Sequence, residues 1–323
     1  MKILVTSKSF SKVNAEAASL LEQKGFILEH LQAPVMTSSL IASKIKGVDC
    51  LIVGNDPVES DVFEAADCLK LVHMHGTGLD GIDVECATAH GVLVSNVTGA
   101  NKNAVAELIL ALMLTVGRRI DKHIDLFKEG RWERTAGHEV SFKTVGIIGL
   151  GNIGRRLVEL LKGFDVKVIG YDPYADQSWA RDHGVRLTEQ CDDVFIEADY
   201  LVLSVPLTPE TEHIVCERTL SLMKRSSYLI NTARGALVDE QALIEAVKNG
   251  RIAGAALDAY RQEPPSHDSP LRFTDIVMTP HIAATSYETS SSVSMIVARQ
   301  VIGILIEGKK ELAVNYKEVS ASV

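Results

Sequence analysis

Apolar residues in this chain fall into short continuous runs, and between those runs they recur at three- or four-residue spacing. The runs at 3–6, 50–53, 69–74 and 92–95 predict strands, with 25–31 as a further one, and helical spacing fills 15–23, 40–45, 61–66 and 84–89. The same alternation resumes at Thr144 and continues through strands at 166–171, 200–205, 227–231, 254–257 and 275–278. A continuous apolar run suits a strand buried on both faces, and two parallel strands need a long crossover, most often a helix. The alternation therefore predicts parallel sheets covered by helices in both halves of the chain.

The segment between the halves follows a different pattern. From Asn103 to Arg118, the residues Val105, Leu108, Ile109, Leu112, Met113 and Val116 repeat at helical spacing, while Leu110 and Leu114 make the remaining face apolar too. A helix apolar all round must be covered on every side. One face predicts a core within the subunit. The other predicts a subunit interface, and hence a homodimer.

The second half opens on a glycine-rich turn. The run from Thr144 leads into Gly149-Leu-Gly151-Asn-Ile-Gly154, and Arg155-Arg-Leu-Val-Glu-Leu-Leu then takes up helical periodicity. The next strand ends on Asp172, in the place where an acid completes the dinucleotide-binding fingerprint. Gly149 permits the tight turn, Gly151 lets the backbone approach a pyrophosphate, and Gly154 lets helix and strand pack closely. Asp172 accepts from a ribose hydroxyl and repels a 2′-phosphate, and no Arg follows it in Pro173-Tyr-Ala-Asp-Gln. The expected cofactor is NAD rather than NADP.

Composition narrows the class. A formal net charge of −9 gives no electrostatic footprint for nucleic acid or an anionic membrane. No apolar run reaches spanning length, and the first residues read as a strand without a cleavage pattern, so a cytoplasmic location is expected. The 5 cysteines are scattered, odd in number and without a CxxC pair, which suits reduced thiols. His73 and His75, two apart on a strand, share one face and could ligate a metal. No third ligand is evident near them, so no metal is expected, and a polar contact from His75 to substrate is the alternative.

Three strand ends in the second half carry candidate chemistry. Ser227-Tyr-Leu-Ile-Asn231 runs into Thr232-Ala-Arg234, the next strand delivers Asp258 and then Glu263, and the last ends Met278-Thr-Pro-His281. Ligands bind at the carboxyl ends of parallel strands. There, the planar fork of Arg234 suits a carboxylate, and a carboxylate such as Glu263 beside His281 would raise the pKa of the imidazole. A proton donor in ketone reduction needs that. Taken singly, each has a plainer reading: Arg234 as a surface charge, Glu263 as a helix-entry acid and His281 as a packed core histidine.

Several of these stretches together resemble the D-2-hydroxyacid dehydrogenases, the phosphoglycerate dehydrogenase-like branch above all. They are Gly149–Gly154, Asn231-Thr-Ala-Arg-Gly-Ala-Leu-Val-Asp239, Ala255-Ala-Leu-Asp-Ala-Tyr260 and Thr279-Pro-His-Ile-Ala283. The similarity runs from His75-Gly-Thr-Gly-Leu-Asp-Gly-Ile-Asp83 through Arg131-Trp-Glu-Arg134 to Val314-Asn315. It implies an α/β fold of two parallel-sheet domains, with a Rossmann dinucleotide-binding domain over 101–284 inserted into a flavodoxin-like substrate domain of 1–100 and 285–323. The chain would cross between them near 98–101 and 283–286.

The resemblance also implies roles. Arg234 would bind the substrate carboxylate and polarise the carbonyl, His281 would be general acid/base, and Glu263 would orient it. Asn152 and Ile153 would present amides to the pyrophosphate, Asp258 would hold the nicotinamide region, and Thr232 and Ala233 would line that pocket. Thr77 and Gly78 would offer backbone N–H groups to the carboxylate. The partner implied is a small 2-hydroxy or 2-keto acid. Phosphoglycerate dehydrogenases of the animal type carry Arg where this chain has Gly54 and Met74, which points away from a phosphorylated substrate. Arg134 is the one basic residue placed to compensate. Two alternatives stay open: D-3-phosphoglycerate dehydrogenase proper, and a non-enzymatic NAD-binding module like the corepressors of carboxy-terminal-binding-protein type.

Overall fold

Alternation in the sequence becomes two separate parallel sheets. The computed structural model describes residues 1–321 and divides into two compact units, Met1–Asn101 with Thr285–Val323, and Lys102–Ala284. The first unit begins β1 (Lys2–Val5), α1 (Glu16–Gln23), β2 (Ile27–His30), α2 (Ser38–Ala42), β3 (Cys50–Val53), α3 (Ser60–Ala65), β4 (Leu71–Met74), α4 (Val84–Ala89) and β5 (Leu93–Ser95). Its strands pair in parallel in the order β2-β1-β3-β4-β5, the flavodoxin-like order.

The second unit opens with α5 (Lys102–Arg118) and α6 (Ile120–Lys128), then runs β6 (Thr144–Ile148), α7 (Asn152–Leu161), β7 (Lys167–Tyr171), α8 (Gln177–Asp182), β8 (Val185–Leu187), α9 (Cys191–Glu197) and β9 (Tyr200–Leu203). It ends with α10 (Glu217–Leu222), β10 (Tyr228–Asn231), α11 (Glu240–Lys248), β11 (Gly254–Leu257) and β12 (Val277–Met278). The seven strands lie in the order β12-β11-β10-β9-β6-β7-β8. Read from β8, this is the doubly wound dinucleotide-binding order with one strand added, and its direction reverses between β6 and β9. The chain then returns to the first unit as α12 (Tyr287–Leu305) and α13 (Tyr316–Ala321).

Burial explains why these runs are strands. Every residue of β3, β4, β9, β10 and β11 is buried, as expected for strands covered on both faces. In the first unit, Val293, Val297, Ala298 and Val301 of α12 join the core formed by Ile3, Val5, Ile52 and Leu71. Asn315 ties the final segment to β5: its Oδ1 accepts from Val94 N at 2.8 Å, and its Nδ2 donates to Val92 O at 3.0 Å.

Some element bounds differ from the sequence reading. Helix α2 starts at Ser38 rather than at 40, because Thr37 caps it and its Oγ1 accepts from Leu40 N at 3.2 Å. β8 is too short to carry a periodic signal, and α6, with Ile120, Ile124 and Phe127 at helical spacing, was not read in advance. On α5, Val105, Ile109, Leu112, Met113 and Val116 are buried, whereas Leu108, Leu110 and Leu114 are only half-buried. The second apolar face is thus incompletely covered within the unit.

Candidate active site

The glycine-rich turn is shaped by close backbone contacts. Gly149 sits at φ +94, where L side chains are strained, and a Cβ there would lie 2.4 Å from Ser204 O. A Cβ on Gly154 would meet Gly149 O at 2.3 Å. Gly151 differs, because a Cβ there would meet nothing within 4 Å. Its missing side chain leaves open space at the start of α7, where the N–H groups of Asn152 and Ile153 donate to no acceptor among the described residues. Open space, free donors and the positive end of a helix fit an anionic pyrophosphate.

Asp172 closes this cradle from β7. Its Oδ2 accepts from Leu150 N and its Oδ1 from Tyr174 N, each at 2.8 Å. Each oxygen keeps a further lone pair, so the carboxylate can brace the turn and still accept from ribose hydroxyls. Ser204, just past β9, was not singled out from sequence. Its Oγ is buried without a hydrogen-bond partner, at the reversal point of the strand order where dinucleotides bind in such sheets. Its only sequence signal was its place at the end of an apolar run.

The adjacent ends of β10, β11 and β12 bring the charged candidates together. His281 Nδ1 lies 2.6 Å from Glu263 Oε2, while Glu263 Oε1 accepts from Tyr260 N at 3.0 Å. Burial alone would raise the Glu263 pKa, but the hydrogen bond and charge of His281, the Tyr260 N–H and the charge of Arg234 together hold it below its ordinary value. The hydrogen bond to Glu263 raises His281, against burial that lowers it, and the charges of Glu263 and Asp258 add to the rise. The pair therefore favours carboxylate and imidazolium. With Nδ1 committed to Glu263, Nε2 is the nitrogen left to exchange a proton with a ligand.

Arg234 is placed by Asn231, whose Oδ1 accepts from Ala233 N at 3.0 Å and whose Nδ2 donates to Arg234 O at 2.8 Å. Thr232 is buried, and Ala233 and Arg234 are half-buried. Gly235 follows because a Cβ there would come within 1.8 Å of the Tyr260 carbonyl carbon. Neither Asn231 nor Tyr260 was read as a site residue, although an Asn ending a buried strand was a usable signal. Asp258, expected at the nicotinamide region, is buried, and its carboxylate accepts from Thr279 Oγ1 at 2.5 Å and from Ile282 N and Ala283 N at 2.8 Å each. Those donors lie in the loop bearing His281, so Asp258 braces that loop.

In the first unit, the loop after β4 presents Gly76, Thr77 and Gly78. None of their N–H groups donates to an acceptor among the described residues. The loop is pinned from one side: Val97 N donates to Gly76 O at 2.8 Å, Asn96 Nδ2 to Thr77 O at 2.6 Å, and Thr77 Oγ1 to Val97 O at 2.8 Å. Three successive N–H groups are thus left without an acceptor among the described residues. His73 and His75 both turn toward α12, where His73 Nε2 lies 2.7 Å from Gln300 Oε1 and His75 Nε2 lies 2.9 Å from Ser294 Oγ. Arg134 is exposed.

Residues 110–283 match the family model described as D-isomer specific 2-hydroxyacid dehydrogenase, NAD binding domain. The chain belongs to this family. It is 39% identical over 318 residues to the D-3-phosphoglycerate dehydrogenase of Methanocaldococcus jannaschii, an alignment covering 98% of this chain and 59% of that protein. It therefore spans less than two thirds of that relative's length. A glyoxylate reductase of Korarchaeum cryptofilum is 36% identical, with 82% of each chain covered. Among solved structures, the D-lactate dehydrogenase of Aquifex aeolicus, complexed with NAD and lactic acid, superposes with a TM-score of 0.85 at 25% identity, covering 97% of this chain and 99% of that one. Within the family frame, Asp172 and the Gly149–Gly154 turn fall in the NAD-binding domain, as do Arg234, Glu263 and His281.

Proposed function

We propose that this chain is an NAD-dependent dehydrogenase interconverting a small D-2-hydroxy acid and its 2-keto acid. The observation that carries the reading is the 2.6 Å contact between His281 and Glu263, an imidazolium–carboxylate pair at strand ends beside Arg234. Bound NAD(H) would supply the hydride to C2, or accept it in the reverse direction. Arg234 would hold the substrate carboxylate and polarise the C2 carbonyl. His281 would give its Nε2 proton to the carbonyl oxygen during reduction and take it back during oxidation, while Glu263 stays ionised and keeps the ring oriented. Asn152 and Ile153 would direct their N–H groups at the pyrophosphate, and Asp172 would accept from the ribose. Thr232 and Ala233 would flank the nicotinamide. Thr77 and Gly78 would offer their free N–H groups to the substrate carboxylate.

The substrate of this reading is short and unphosphorylated, since Gly54 and Met74 bring no cation to the loops that follow β3 and β4. The experiment is NADH oxidation by the whole chain against glyoxylate, hydroxypyruvate, phosphohydroxypyruvate and branched 2-keto acids. Reduction of an unphosphorylated member is expected. Preference for phosphohydroxypyruvate would make the protein a phosphoglycerate dehydrogenase. Tight NADH binding with no turnover across the panel would make it a cofactor-binding module instead.

The same reading makes the protein a cytoplasmic homodimer. The five cysteines are free, which suits a reducing compartment. Half-covered Leu110 and Leu114 on α5 adjoin a segment in which Phe127 and Trp132 are 67% and 79% exposed. Subunit pairing would cover both, through an interface that in permanent dimers buries more than about 2,000 Å². Sedimentation as a monomer at micromolar concentration would end this part of the proposal.

A further inference from the structure

A directed series of hydrogen bonds in the first unit passes through His75, one residue before the loop 76–78. His75 Nδ1 lies 2.9 Å from Ser9 Oγ, and Nε2 lies 2.9 Å from Ser294 Oγ. The Ser294 hydroxyl gives its own proton to Ser290 O at 2.8 Å, so toward His75 its oxygen acts only as an acceptor. That puts the imidazole proton on Nε2 and leaves Nδ1 to accept from the Ser9 hydroxyl. Ser9 Oγ, 3.3 Å from Ser7 Oγ, then accepts from Ser7. Every proton points the same way, from the loop after β1 through His75 into α12. Burial pushes His75 down to about 4, so at neutral pH the ring carries the single N–H this arrangement requires. Phe10 meets the ring edge-on, with centroids 5.7 Å apart.

Bonds on one side of the loop 76–78 come from Asn96 and Val97. On the other side, His75 N donates to Val53 O at 2.7 Å, and the His75 ring is anchored between Ser9 and Ser294. Free N–H groups converge on an anion only while the backbone between them is held in one conformation.

We propose that His75 is a positioning residue: clamped between Ser9 and Ser294, it fixes the direction in which Gly76, Thr77 and Gly78 present their N–H groups and thereby sets affinity for the substrate carboxylate. The clamp acts through the loop and not on the reacting atoms. This rests on the dehydrogenase reading only in naming the anion as a 2-keto acid. The ordering of the loop stands without it.

The test uses Ser9→Ala, which sits on an exposed loop, its rescue Ser9→Thr, and His75→Phe, all in the whole chain. Two quantities are read: KM for the preferred 2-keto acid against KM for NADH and kcat, and amide hydrogen exchange at 76–78 in the unliganded protein. Ser9→Ala should raise the keto-acid KM about three- to tenfold through lost preorganisation, with NADH KM and kcat little changed. Exchange at 76–78 should quicken. His75→Phe should do the same or more, and Ser9→Thr should restore both readings. Unchanged exchange and unchanged keto-acid KM in Ser9→Ala and His75→Phe would overturn the clamp and leave the dehydrogenase reading intact. An equal rise in both KM values would also overturn it, as general destabilisation. If the unmutated protein reduces no 2-keto acid, the dehydrogenase reading fails, and hydrogen exchange alone decides the clamp.

Discussion

His281 and His75 each stand just past the carboxyl end of a parallel strand, one in each unit, and each is half-buried with Nδ1 held by a side chain. At His281 the partner is Glu263, and the imidazole pKa rises. At His75 the partners are two hydroxyls, and burial, helped by nearby His73, pushes the ring down to about 4. Desolvation acts in the same direction on both rings. Hydroxyls satisfy the nitrogens of a neutral ring but bring no net charge to oppose that penalty, whereas a carboxylate at 2.6 Å reverses the sign. One ring is thereby shifted toward its protonated form, and the other toward its neutral form.

The hardest test of that contrast is to remove each ring. His281→Ala should lower kcat for keto-acid reduction by about a hundred- to ten-thousand-fold while leaving NADH affinity nearly unchanged. His75→Ala should lose far less in kcat. Equal losses in the same assay would abolish the distinction between the two histidines.

A second carboxylate in the second unit extends the comparison to the cofactor. Asp172 accepts two backbone N–H groups and has lone pairs left for a ribose diol. A hydrogen bond to a charged group contributes roughly 1.5–3 kcal/mol, so Asp172→Ala should narrow an NADH-over-NADPH preference by about ten- to a hundredfold. Comparable kcat/KM for both cofactors in the unmutated protein would refute the role given to Asp172.

Glu263→Gln keeps the hydrogen-bond geometry and removes the charge, so it tests the cause directly. His281 should titrate lower, and because reduction needs the protonated ring, the alkaline limb of the reduction profile should move to lower pH. At neutral pH the loss should be on the order of tenfold, below that of His281→Ala. A limb that stays in place would separate Glu263 from the proton donor.

The smallest effect is on stability, and here the two sites should have opposite signs. His75 has a folded pKa below its unfolded value of about 6.5, so its contribution is fully present above that pH and is lost as the pH falls toward about 4. His281, with a raised folded pKa, contributes below about 6.5 and loses that contribution as the pH rises through the folded value. Glu263, with a lowered one, contributes above about 4.3 and loses it below. His75→Asn should therefore flatten the decline in Tm between pH 6.5 and 4, with His73 leaving a residue of it. An unchanged slope would show that His75 titrates normally.

The fold was largely readable because both sheets are parallel and covered by helices. Runs such as Cys50–Val53 and Gly254–Leu257 are buried throughout, as strands covered on both faces require, and their regular alternation with helical segments marks them as strands. Short elements on the surface were missed. β8 has three residues, too few for a period, whereas α6 carries Ile120, Ile124 and Phe127 at helical spacing, a signal that was there and went unread. In the site, Arg234, Glu263 and His281 could be named because each follows a predicted strand. Asp258 also follows a strand, and what only the structure adds is that its carboxylate accepts from Thr279, Ile282 and Ala283 in the loop bearing His281.

By itself, the sequence determined what neighbouring residues can encode: strand and helix periods, the turn around Gly149, and a family whose motifs are contiguous. Tertiary structure decided what depends on atoms far apart along the chain. His75 meets Ser9 across 66 positions and Ser294 across 219, and nothing local to Met74-His75-Gly76 specifies either contact. The pKa of a buried ring is set by the charge within a few ångströms of it, and only folding chooses which charge that is. Two histidines that look alike in the sequence therefore have their pKa values shifted in opposite directions by the packing around them.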